Sequence, residues 1–158
     1  MVILLVVGQA KKYYEESLIL QREIGDKFGI AYSLNNLGLI AHNRRDYEQA
    51  QKFYEDSLLL RREIGDKIGI ANSILGLAEI VSVGNHSNQA VLLLKATGTI
   101  LQSMGAMHGR DDLIQYERII TKLHEQLSEE EFSKYWEEGK KLTLEQAVEL
   151  ALKKENGE

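Results

Sequence analysis

Apolar and small side chains recur at steps of three and four along most of this chain, the spacing that lays them on one face of a helix. From Gln9 to Ile24 that face reads Ala10, Tyr13, Ser17, Leu20 and Ile24. Gly25 then suits a left-handed helix stop, and Asp26 can cap the next helix by accepting a backbone N–H. The same pair returns as Gly65 and Asp66. Further on, the turn 83–88 offers Ser87 or Asn88 as a cap for a helix running to Gly105. Residues 111–127 predict another amphipathic helix through Leu113, Ile114, Tyr116, Ile120, Leu123 and Leu127. Ser128 with Glu131, and Thr143 with Gln146, are spaced as capping boxes. They open a short helix through Phe132, Tyr135 and Trp136, and a last one burying Leu144, Ala147, Val148 and Ala151.

The pattern repeats. Sliding the chain on itself by 40 places sets residues 9–34 against 49–74, with 18 of 26 positions identical. A third, fraying copy begins at Asn88, Gln89 and Ala90. A fixed period of this kind is the signature of a repeat architecture, in which stacked units share a core that none could bury alone. The complete unit, Ala31 to Asp66, carries Leu34, Leu37 and Gly38 on its first helix and Asp46, Tyr47, Ala50 and Tyr54 on its second. It resembles a tetratricopeptide repeat. It departs from that family in lacking the closing proline and in exceeding the usual period of about 34 residues.

That resemblance implies an all-α fold, a right-handed superhelix of antiparallel hairpins with about seven or eight helices. It implies a single domain over 1–158: an apolar segment of a truncated repeat at 1–8, repeats at 9–105, and a divergent helical cap at 106–158. A second resemblance runs through the tail, on Leu93, Leu94, Ala96, Gly105, Tyr116, Glu117, Phe132, Trp136, Gly139, Leu142, Thr143, Leu144, Glu145 and Ala147. These look like the closing segment of LuxR- and AfsR-type signalling ATPases and transcriptional regulators. The implied role is a regulatory or sensor arm, without transfer of their ATPase, cyclase or DNA-binding activity.

Charge and chemistry narrow the function. With 24 acidic against 19 basic residues the net charge is −5, and the paired basics are scattered among acids, which argues against a nucleic-acid surface. There is no cysteine, hence no disulfide framework and no thiol nucleophile. His42, His86, His108 and His124 show no paired-ligand spacing. No catalytic residue, metal or cofactor is expected, and the chain reads as a non-enzyme placed in the cytoplasm. The run MVILLVVG at 1–8 is too short to span a bilayer and lacks the marks of a secretory signal. Such a run is sticky, so it is expected to be buried by self-association into a homo-oligomer or by a longer parent protein.

A protein- or peptide-binding module needs an open face, and the first helix of each hairpin lines the hollow of a stacked array. The residues expected there are Tyr32, Asn35, Asn36, Leu39, His42 and Asn43, followed by Asn72, Leu75, Glu79 and Ser82 in the next copy. Two asparagines inside a helix are unfavourable by propensity, which points either to a role in holding the amides of an extended peptide or to simple solvation. A structural scaffold that assembles with itself is the alternative function.

Overall fold

The computed structural model describes residues 2–153. Met1, at the head of the apolar run, and 154–158, which include Lys154 of the last basic pair, lie outside the described residues. Among the described residues there are eight helices and no strand: α1 (Val2–Ile24), α2 (Lys27–Asn43), α3 (Tyr47–Ile64), α4 (Lys67–Val83), α5 (Ser87–Ser103), α6 (Arg110–Gln126), α7 (Glu129–Gly139) and α8 (Leu144–Leu152). They form two compact units, Met1–Lys67 and Ile68–Glu158.

In the first unit α2 packs on both α1 and α3. Leu18, Leu34 and Leu37 make a buried cluster, covered by Tyr14, Ile30 and Phe53. Short turns hold the helices together. Gly25 and Gly65 take φ of 71° and 73°, where an L side chain would be strained, and the Asp26 and Asp46 carboxylates accept from the N–H groups of Gly29 and Gln49 at 2.9 and 3.2 Å. Gly29 itself has a local reason. A Cβ there would lie 2.3 Å from Asp26 Oδ2 and 2.8 Å from Gln21 Nε2, so the bare backbone makes room for the cap.

Polar ties join α2 to α3. Ser57 Oγ donates to the Ala31 carbonyl at 2.7 Å, and Arg61 Nε donates to Ser57 Oγ at 3.2 Å. Lys27 and Glu63 add an exposed ion pair. The closest approach is at Gly38, where a Cβ would meet the Tyr54 ring at 2.8 Å, and that ring is 1% exposed. Gly38→Ala is therefore expected to destabilise by about 1–3 kcal/mol through overpacking. Tyr54→Leu should relieve part of that loss in the double variant, read as a non-additive change in urea midpoints.

In α1 the apolar segment 1–8 continues into the helix read from Gln9, which runs unbroken from Val2. Valine and isoleucine are only a few tenths of a kcal/mol poorer helix formers than leucine, and extending an existing helix costs little. Its buried face differs from the one expected: Tyr13, Leu20 and Ile24 are 65%, 61% and 77% exposed. Tyr14 and Leu18, one step around the helix, pack instead against α2.

In the second unit α5 is central, touching α6, α7 and α8. Val91, Leu93, Leu94, Ala96 and Leu101 are buried there. The expected cap at Ser87 or Asn88 is absent: His86 precedes the helix without a side-chain cap. Ser87 Oγ instead donates to Gln126 Oε1 on α6 at 2.8 Å. Both capping boxes form as expected, Ser128 with Glu131 and Thr143 with Gln146. On α6 the buried pair is Ile119 and Leu123, while Leu113 and Ile114 of the expected face are exposed.

Candidate functional site

The residues expected on an open face lie in both units and fare differently. On α2, Tyr32 is 57% exposed, Asn36 and Leu39 are half-buried, and Asn43 is exposed at the helix end. Asn36 Nδ2 donates to the Tyr32 carbonyl at 2.9 Å, which fixes the amide one turn after the tyrosine. An amide retains further donor and acceptor capacity after one such bond. Asn35 is half-buried, and its Oδ1 is buried without accepting a hydrogen bond. His42 is half-buried with its ring 5.4 Å from that of Tyr47.

Tyr32 belongs to an aromatic row that the helical spacing did not reveal. The Tyr14 ring lies 6.2 Å from Tyr32 and 5.3 Å from Tyr13, both edge-on. Edge-to-face packing suits the ring quadrupole. Burial, then the neighbouring Tyr32, raises the Tyr14 hydroxyl above the ordinary tyrosine pKa. The row crosses from α1 to α2, so only tertiary packing brings it to Asn36.

The second-unit residues are placed otherwise. Asn72 is half-buried, but Leu75 and Ser82 have no exposed surface and Glu79 keeps only 5%. These three do not present an open wall. The reason for Glu79 is visible: Arg118 of α6 reaches its Oε1 through Nη2 at 2.6 Å and Nε at 3.2 Å, and Gln115 donates to Oε2 at 2.5 Å. Ser82 Oγ donates to the Glu79 carbonyl at 2.7 Å. The face that would line a groove in one copy is here used to seat α6.

A depression that sequence reasoning missed opens at the other end of the first unit. Leu37, Ile40 and Phe53 form its floor, with Lys11, Glu15 and Arg44 at the rim, and it holds about 250 Å³. That is below the roughly 300 Å³ at which small-molecule pockets begin, room for a side chain rather than a cofactor. Among the described residues no three His, Cys, Asp or Glu side chains come together as metal ligands. His108 is packed on the Tyr116 ring at 4.9 Å, and burial lowers its pKa below that of a free imidazole.

The described residues are helical throughout their elements and carry a duplicated hairpin, with polar and aromatic groups on an exposed helix face, the architecture of a helical-repeat protein. The tetratricopeptide repeat family model matches residues 7–58 and 29–103, and the chain belongs to that family. No curated protein and no solved structure matches it. Tetratricopeptide repeats serve generally as protein–protein interaction modules and typically as non-catalytic scaffolds. Among the described residues no helix is long and apolar enough to cross a membrane.

Proposed function

We propose that this chain is a non-catalytic peptide-binding module, a regulatory or sensor arm in cytoplasmic signalling or transcriptional control, and that it grips an extended peptide on the exposed face of α2. The observation that carries the reading is the joined pair of Tyr32 and Asn36 on successive turns, beside Tyr14. An amide can bond the backbone of an extended chain, and a partly exposed ring supplies apolar area that is already held in place. Leu39, His42 and Asn43 continue that face, and Asn35 flanks it.

Peptides selected on the intact chain from a random library test this. Their affinities, measured by calorimetry, are expected to fall about 3- to 10-fold in Asn36→Ala, the worth of one hydrogen bond. Tyr32→Ala should lower them further, and helicity should not change in either variant. Selected peptides indifferent to both substitutions would place the binding surface elsewhere.

Self-association is a second reading, favoured by the bare apolar side chains of Val2 to Val6 together with Tyr13, Leu20 and Ile24.

A further inference from the structure

We infer that α1 pairs antiparallel with α1 of a second copy of this chain. The inference rests on the self-association reading and says which surface makes the contact and in what direction.

Along α1, Val6, Ala10, Tyr13, Ser17, Leu20 and Ile24 recur at alternating steps of four and three, and Ile3 extends the series at the same rhythm. This is the heptad spacing of a helix whose seam faces another helix over its whole length. In this fold the seam is bare. Its large members, Ile3, Val6, Tyr13, Leu20 and Ile24, are all more than half exposed. The duplicated helix shows what such a seam normally meets. Phe53 is the counterpart of Tyr13 under the 40-residue shift, and it is packed against Leu18, Leu34 and Leu37.

The order of sizes selects the occupant. In a parallel pair the small Ala10 and Ser17 would face their own copies and leave holes, while Tyr13 would meet Tyr13. Turned antiparallel, Tyr13 faces Ser17, Leu20 faces Ala10 and Ile24 faces Val6, so each large member between Val6 and Ile24 meets a small or matching one, and Ile3 lies beyond the overlap. A surface that complements itself under a two-fold rotation makes an isologous contact, the commonest interface of soluble oligomers.

Area agrees as well. The eight bare side chains, the five large members with Val2, Leu5 and Ile19, expose roughly 100 Å² each, and the five of them inside the overlap, Val6, Tyr13, Ile19, Leu20 and Ile24, give about 500 Å² per copy, about 1,000 Å² over both partners, the least that a specific interface buries. Monomers rarely leave an apolar patch beyond about 300–600 Å² uncovered.

Sedimentation velocity on the intact chain over a range of concentrations is expected to show a monomer–dimer equilibrium. Leu20→Glu and Val6→Asp should each weaken it by roughly 30-fold or more, as the loss of a central anchor does, with helicity by circular dichroism unchanged. The chain has no native cysteine, so single cysteines report direction. Glu16→Cys, near the axis, should join two copies through a short bis-maleimide. Ile24→Cys should not, because antiparallel pairing sets its two copies about 27 Å apart along the helices. A monomer at every concentration would end the self-association reading itself. A dimer indifferent to Leu20→Glu and Val6→Asp would keep self-association and remove α1 as its surface. Linkage through Ile24→Cys in place of Glu16→Cys would overturn the antiparallel direction alone.

Discussion

Gly139→Ala is expected to destabilise the second unit by about 3 kcal/mol, the upper end of overpacking losses. A Cβ at this position would stand 2.8 Å from the Leu92 carbonyl oxygen and 2.8 Å from Lys95 Cβ, with Leu92 Cα at 3.3 Å. Two of those three atoms are backbone, and the third is the root of its side chain, so no rotamer change relieves the clash. The end of α7 must move off α5. That contact is also where Trp136 receives Lys95 Nζ at 4.8 Å from the ring centre and stacks on Phe132 at 5.4 Å. Loss of tryptophan emission contrast should therefore accompany the fall in urea midpoint. A variant with the parent midpoint and unchanged fluorescence would show that α7 does not approach α5 this closely.

Arg118→Met is the second large effect, expected at about 2 kcal/mol. Its guanidinium gives two hydrogen bonds to the Glu79 carboxylate, whose side chain is 7% exposed. Hydrogen bonds to a charged group are worth about 1.5–3 kcal/mol, and truncating one partner of a buried charge leaves the other poorly compensated. The figure stays near the lower end because Arg118 itself is 54% exposed and solvent screens its charge. Arg118→Lys should lie between the parent and Arg118→Met, since an ammonium cannot reproduce the guanidinium fork. In a cycle with Glu79→Gln the two losses should be less than additive. Strict additivity would mean that the pair seen between α4 and α6 contributes no coupling in solution.

Both predictions concern residues whose importance was only partly legible in sequence. Gly139 belonged to the tail that resembles signalling regulators, but nothing in its neighbours along the chain announces that Leu92, 47 positions earlier, lies against it. Glu79 read as a partner-binding residue on the face of a repeat helix that lines the hollow. Its burial follows from α6, whose Gln115 and Arg118 arrive from 36 and 39 positions further along the chain. Tyr13, Leu20 and Ile24 had the spacing of a core face, and periodicity could not tell that face from a seam left open, because both need the same rhythm.

What the amino-acid sequence determined alone is the local and the duplicated: the all-helical character, glycine stops at Gly25 and Gly65, the aspartate cap at Asp26, the two capping boxes, and the hairpin repeated at 40 residues. These depend on groups three or four places apart, or on one block copied into another, and both are visible along a chain. Tertiary structure alone decided which face of α1 stays bare, that Tyr14 and Tyr32 meet beside Asn36, and that Leu75, Glu79 and Ser82 are covered. Burial belongs to no single residue: it is the area taken from water by neighbours that arrive from distant positions, and the same apolar stripe ends as core or as open surface according to whether such a neighbour arrives.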